Sequence, residues 1–298
     1  MRPWPIVREE QWREPKASVG AAGTTGRRRT RRIQCMGSLD DRIALITGGA
    51  RGFGRAIALA LAAEGADVAV SDIGRNNASA TYYDMAGLDD LQATVDAVRA
   101  MGRRSIGIQA DVTSAEDCRR MAETTIAEFG RIDILVANAG IWTRGRAWEI
   151  TEEEWDLVVD VNLKGAFLTS KHVVPHMIER RYGKIVFTSS IGGLKAYAGL
   201  ANYIAAKHGV TGYMKALAIE LGPYEINVNA ICPTQMGRLD EGGESRPDAY
   251  ESNLLHGMGV PRFADVAQGV TWLVSDAAGM VTGLSLPMDN GWIVKRGG

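Results

Sequence analysis

Cysteine is scarce in this chain: Cys35, Cys118 and Cys232 are the only three, scattered along 298 residues. That spacing offers neither a disulfide framework nor a cluster of metal ligands. No metal is expected, and a reducing, cytoplasmic setting is the simpler reading. An excess of charge is missing too. The formal net charge is −1, which gives no general reason to expect a nucleic acid or an acidic membrane as partner. No apolar run approaches the roughly 18 residues that suggest a membrane span. Arg27, Arg28, Arg29, Arg31 and Arg32 crowd the start of the chain, but no apolar stretch follows them as a secretory signal would need. Residues 1–36 are therefore expected to be a disordered basic extension, or upstream sequence before a start at Met36.

What is present is alternation. From Arg42 onward, short apolar runs alternate with helix-like segments. Ile43 to Ile46, Val68 to Val70, Ile106 to Ile108, Ile134 to Val136, Ile185 to Phe187, Asn227 to Ile231 and Leu284 to Leu286 read as seven strands. Continuous apolar strands separated by helices imply a mostly parallel sheet covered on both faces. The right-handed crossover rule then gives a doubly wound α/β fold of the Rossmann type. No repeat or linker interrupts residues 37–298, so one domain is expected there. Two stretches poor in pattern, Gly74 to Gly87 and Gly237 to Val260, read as loops of functional length.

The turn after the first strand reads Thr47-Gly48-Gly49-Ala50-Arg51-Gly52-Phe53-Gly54. Glycine is required where a backbone turns tightly and approaches a pyrophosphate, and the next helix offers free N–H groups to that anion. Asp72 ends the second strand, where a carboxylate accepts the ribose hydroxyls of NAD and repels the 2′-phosphate of NADP. Arg51 and Arg75 pull the other way as phosphate partners, which leaves an NADP-dependent biosynthetic ketone reductase as the alternative enzyme. Asp111-Val112 ends the third strand and Asn138-Ala139-Gly140 the fourth, at the carboxyl ends where open α/β sheets bind ligands.

Tyr203 and Lys207 stand four residues apart on one helix face, above an apolar stripe of Val210, Met214, Leu217 and Leu221. A free phenol, with a pKa near 10, is a sluggish base at neutral pH, and a neighbouring cation stabilises its phenolate. Ser190, at the end of the fifth strand, can hold a substrate oxygen against Tyr203. Asn162 falls within a helical pattern, where asparagine is mildly unfavourable, and a bend there could anchor a water beside Lys207. Trp142, Trp148, Tyr197 and Met236 are candidates for pocket walls by their positions after strand ends.

From about Leu39 to Lys295 the chain resembles the short-chain dehydrogenase/reductase family. The resemblance is carried by Gly48, Gly52 and Gly54, by Asp111, by Asn138, Ala139 and Gly140, and by the set Asn162, Ser190, Tyr203 and Lys207. It implies NAD-dependent interconversion of a secondary alcohol and a ketone, with Tyr203 as acid/base. Lys207 would hold the ribose and Asn162 support a proton relay. The cofactor would be held by the glycine turn with Arg51 and Phe53, and by Asp72, Ile73, Asp111, Val112, Asn138, Ala139, Gly140, Tyr203, Lys207, Pro233, Thr234 and Met236. A dimer or tetramer is implied as well. A complete tetrad leaves little room for a third reading, a non-catalytic dinucleotide sensor. Tyr83 to Leu91, Ala205 to Val210 and Cys232 to Thr234 further resemble the mycofactocin-coupled, carveol-dehydrogenase-like branch. That likeness implies tightly held NAD and an external redox carrier. Related enzymes place a threonine five residues beyond the proline; here Arg238 stands there. Either Thr234 shares its work, or this end of the cofactor is held differently.

Overall fold

The structure, a computed structural model, describes residues 39–74, 85–234 and 262–294. Seven strands and seven α-helices follow one another as β1 (Ile43–Thr47), α1 (Gly52–Ala63), β2 (Asp67–Asp72), α2 (Leu88–Ala100), β3 (Ser105–Gln109), α3 (Ala115–Phe129), β4 (Ile134–Ala137), α4 (Glu152–Val159), α5 (Gly165–Arg180), β5 (Gly183–Thr188), α6 (Ala201–Leu221), β6 (Ile226–Pro233), α7 (Phe263–Val274) and β7 (Ser285–Met288). The sheet order is β3-β2-β1-β4-β5-β6-β7, and every pairing in it is parallel. The expected doubly wound fold is present, as a sheet parallel throughout. The last strand runs two residues further than the sequence suggests.

All five residues of β1 and all six of β5 are buried, which is why both read as unbroken apolar runs. Ile57, Leu61, Val266 and Val270 pack on one face of the sheet; Met121, Val173, Val210 and Met214 pack on the other. Helices α1, α2 and α7 thus cover one face and α3, α5 and α6 the other, the double winding that the alternation implies.

The order reverses direction between β1 and β4, so the crevice for a ligand opens where those two carboxyl ends diverge. Asn138 stitches that crevice together. Its N–H donates to Thr47 Oγ1 at 3.0 Å, and its Nδ2 donates to the carbonyls of Thr47 and Gly48 at 3.0 and 3.1 Å. Its Oδ1 accepts from Thr188 Oγ1 at 3.1 Å, which ties in β5. At the opposite, amino end of the sheet, Asp133 is fully buried. It accepts from the Ile43 N–H, Arg131 and Arg180, each at 2.9 Å. Among the described residues no helix is long and apolar enough to cross a membrane. Arg75, Tyr83, Met236, Arg238 and the whole of residues 1–36 lie outside the described residues, as do most of the two pattern-poor loops.

Candidate active site

The glycine turn after β1 is shaped by contact rather than by flexibility alone. Gly48 has φ +65°, and a Cβ there would lie 2.9 Å from Ala139 Cα. A Cβ on Gly54 would run into the Gly48 carbonyl. Gly52, at φ +56°, meets only Phe263 Cε1 at 3.9 Å on its side-chain face, so the backbone there can be approached closely. Phe53 turns away from the turn and packs edge-on against Phe263, with ring centroids 5.0 Å apart. Arg51 is the N-cap of α1 and supplies no side-chain cap to it. The first-turn N–H groups of α1 are therefore left for an anion.

Asp72 closes β2 beside that turn. Its carboxylate accepts from the Ala50 N–H at 3.1 Å. Burial raises its pKa above the ordinary carboxylate value, opposed by backbone N–H groups of Ala50, Gly74 and Ile73 and by the Arg51 charge. Asp111 stands two residues beyond the end of β3 and caps its own turn through Thr113. Val112 is buried against Cys118 and Leu168. A cavity of about 470 Å³ opens at this outer edge, lined in part by Ile73, Gln109, Asp111 and Arg120. It flanks the Asp72 side of the crevice and does not reach Tyr203.

The second half of the site lies over β4, β5 and β6. Between α4 and α5 the backbone widens into a single π-turn, Asp160–Lys164, with Asn162 at its centre. Such a turn inside a helix commonly marks a functional position. It turns Asn162 inward, 2% exposed, with Nδ2 donating to the Ile141 and Val158 carbonyls at 2.8 Å each. Asn162 Oδ1 is buried without a hydrogen-bond partner. The empty position above Gly140, where a Cβ would sit, is 2.7 Å from that oxygen and 3.3 Å from Lys207 Nζ. Asn162 and Lys207 thus converge beside Gly140.

Lys207 is 3% exposed and donates to the Thr188 carbonyl at 2.8 Å. Burial pushes its pKa down to about 8. Its Nζ lies 5.5 Å from the centre of the Tyr203 ring, one turn up α6. The shared helix face expected from the spacing holds, with Lys207 deep and Tyr203 half-buried. Ser190 begins a short 3₁₀ turn after β5, where its Oγ accepts from the Gly192 N–H at 3.0 Å. Ser189 holds this turn on α6 by donating to the Lys207 carbonyl at 3.1 Å. At the end of β6, Pro233 accepts from Ser190 Oγ at 3.5 Å, while Thr234 Oγ1 is buried with no partner.

These unpaired atoms bear on whether a dinucleotide fits. A buried polar group without a partner costs free energy of about 1–3 kcal/mol, so each such atom calls for an explanation. Thr234 Oγ1 beside the Ser190 turn, the uncapped start of α1 and the close backbone packing around Gly48 and Gly54 together suit a nucleotide lying across the crevice. The wall candidates divide. Tyr197 packs edge-on with Trp292 at 6.1 Å, and its hydroxyl lies 3.0 Å from where a Gly192 Cβ would be. Trp142 stacks under Arg144 at 5.4 Å. Trp148 is 80% exposed, so it does not wall an enclosed pocket of this chain. Sequence reasoning passed over Thr47, Thr188 and Asn202. Thr47 and Thr188 act through a hydroxyl or a carbonyl, which residue identity barely signals. Asn202 carried a visible signal, an asparagine in the first turn of the Tyr203 helix.

A family model described as short chain dehydrogenase matches residues 42–239. The (-)-trans-carveol dehydrogenase of Rhodococcus erythropolis is 37% identical over 278 residues, covering 87% of this chain and 100% of that protein. An NAD-dependent oxidoreductase of Mycobacterium tuberculosis is 37% identical over 266 residues, covering 86% of this chain and 97% of the other. Among solved structures, carveol dehydrogenase from Mycobacterium avium in complex with NAD superposes with a TM-score of 0.80 at 38% identity. That match covers 87% of this chain and 100% of that one.

Proposed function

This chain belongs to the short-chain dehydrogenase family, and from that premise we propose that it uses NAD to interconvert a secondary alcohol and a ketone, with Tyr203 as the acid/base. The observation that carries the reading is the convergence of Lys207 Nζ, the Tyr203 ring and the unpaired Asn162 Oδ1 at the carboxyl end of the sheet, next to the glycine cradle. NAD is the cofactor; when bound, its nicotinamide accepts the hydride that leaves the alcohol carbon. Relatives described as NAD-dependent or solved with NAD support that cofactor.

The residues of this chain do the rest. The uncapped start of α1 and the backbone of Gly52 take the pyrophosphate. Asp72 accepts the ribose hydroxyls at the adenine end, where its carboxylate disfavours a 2′-phosphate. This favours NAD over the NADP reductase alternative, although Arg51 stands beside the same acid. Ser190 Oγ orients the substrate oxygen. Tyr203 takes the hydroxyl proton, and the cation of Lys207 favours the phenolate that must form. A water bridging the unpaired Asn162 Oδ1 and Lys207 Nζ carries that proton out of the site. General acid–base catalysis of this kind contributes about 10²–10⁴-fold.

The likeness to the carveol-dehydrogenase-like branch extends the proposal: NAD stays bound through turnover, and its electrons pass to an external carrier. The protein acts as a cytoplasmic dimer or tetramer. Heat-denaturing freshly purified protein and identifying the released nucleotide tests the cofactor assignment. Near-stoichiometric NAD supports the tightly held form. An empty protein that turns over a secondary alcohol with added NAD supports the dehydrogenase and removes the extension. Released NADP, or turnover with NADP alone, overturns the reading of Asp72.

A further inference from the structure

Asn202 immediately precedes Tyr203 and is fully buried, at 0% exposure. Its Oδ1 accepts from the Tyr203 N–H at 2.8 Å. Its Nδ2 donates to Thr143 Oγ1 at 2.8 Å and to the Glu154 carbonyl at 3.4 Å. The partners fix which way this amide points: a backbone N–H can only donate and a carbonyl can only accept. Asn202 therefore joins three elements, the first turn of α6, the first turn of α4 and the loop that leaves β4.

The first turn of α6 needs this help. Leu200, its N-cap, has no side chain that can accept a hydrogen bond, and the N–H groups of a first helical turn have no partner within the helix. The Ile204 N–H reaches the Leu200 carbonyl at 2.8 Å, but the Tyr203 N–H comes one residue too early for that ladder. Asn202 supplies its acceptor. A second tie lies alongside, where the Gly145 N–H donates to the Gly199 carbonyl at 3.1 Å and Gly145 bridges to Leu200.

The other end of the tether matters as much. Thr143 is 1% exposed and sits three residues beyond Gly140, on the loop that begins with the Asn138 cradle. The same loop is held at its Ile141 carbonyl by Asn162. One short segment is thus gripped by Asn162 on one side and Asn202 on the other, and the second grip ends on the backbone of Tyr203.

We propose that Asn202 is a positioning residue, which sets the height of the Tyr203 phenol over Lys207 and Ser190 by fastening the first turn of α6 to the loop after β4. The inference rests on the dehydrogenase reading for what Tyr203 does, whereas the tether itself stands on the hydrogen bonds alone. A misplacement of about 1 Å at a reacting group costs on the order of 10²-fold in rate.

The test uses the full chain with Asn202→Ala and, because that change strips three partners at once, the milder Thr143→Val. Hydrogen exchange of the backbone over residues 199–206 is read without cofactor or substrate, and kcat and KM are read with NAD and a secondary alcohol. Exchange at Tyr203 should rise at least about tenfold in Asn202→Ala. Its kcat should fall about 10–100-fold with KM changed less than about twofold. Thr143→Val should lower kcat by about fivefold or more, and the double variant should fall no further than Asn202→Ala. Unchanged exchange, an unchanged kcat, or a loss confined to KM would overturn the proposal. If Asn202→Ala does not fold, Thr143→Val decides by the same kcat criterion. A wild-type protein with a protected Tyr203 amide and no turnover of any alcohol would overturn the dehydrogenase reading and leave the tether standing.

Discussion

A buried lysine stands at each end of strand β5, Lys184 within the strand and Lys207 reaching it from α6, and the two are held in opposite ways. At the amino end, Lys184 is 5% exposed, donates to Asn227 Oδ1 at 2.7 Å and lies over the Tyr182 ring. Asn227 is itself spent on the Gly279 and Val281 carbonyls, and Tyr182 reaches Asp276. At the carboxyl end, Lys207 donates to one backbone carbonyl, that of Thr188, and faces Tyr203 and the unpaired Asn162 Oδ1. Burial lowers the pKa of both lysines, but Asp276 raises that of Lys184 in opposition, and no carboxylate does so for Lys207. A closed network holds structure in place. An open one leaves hydrogen-bonding capacity for reactants, at a cost in stability that the rest of the fold must offset.

The sharpest way to break this comparison is to remove each lysine in turn. Lys207→Met should lower turnover by about 10²–10⁴-fold and still raise the melting temperature. The sign follows from the protons bound. Below pH 8 both states carry the charge, and the folded state bears its full desolvation cost. Between about pH 8 and the ordinary value of 10.5 the unfolded chain binds more protons, so wild-type stability climbs with pH across that window. At about 1.4 kcal/mol per unit, the cost relieved in Lys207→Met is at most on the order of 3 kcal/mol. Thermal denaturation across pH 6.5 to 10 should show the climb in wild type and none of it in the variant. Lys184→Met serves as the control and should leave turnover unchanged.

At the amino end the effect falls on stability and leaves turnover alone. Asp133→Asn leaves Arg131 and Arg180 facing a neutral amide where a buried carboxylate met them. Denaturant unfolding should show a loss of about 3–5 kcal/mol, while turnover per folded molecule stays at the wild-type level. Loss of turnover without loss of stability would blur the division between the two ends.

The two ends also differ in how well the sequence reveals them. Strands buried on both faces must be apolar throughout, so β1 and β5 are legible as runs, and the glycine turn follows from where β1 stops. Tyr203 and Lys207 are legible because four residues make one helical turn. Asn162 is legible as an asparagine out of place in a helical pattern, but the π-turn that carries it inward leaves no mark in a 3.6-residue period. Asp111 reads as the end of a strand that stops at Gln109, since boundaries depend on the neighbouring strand. Trp148 follows a strand end yet is exposed, because position in a loop does not say where the loop carries its side chains. Asn202 meets Thr143 across 59 residues, a pairing that exists only once the fold has formed.

The most direct test of the account is NAD reduction, followed by absorbance, for wild-type and Tyr203→Phe proteins offered the same panel of secondary alcohols. The account predicts turnover by the wild type and a loss of about 10²–10⁴-fold in kcat for Tyr203→Phe, with its melting temperature and NAD binding preserved. A Tyr203→Phe protein that keeps most of the wild-type rate would contradict it.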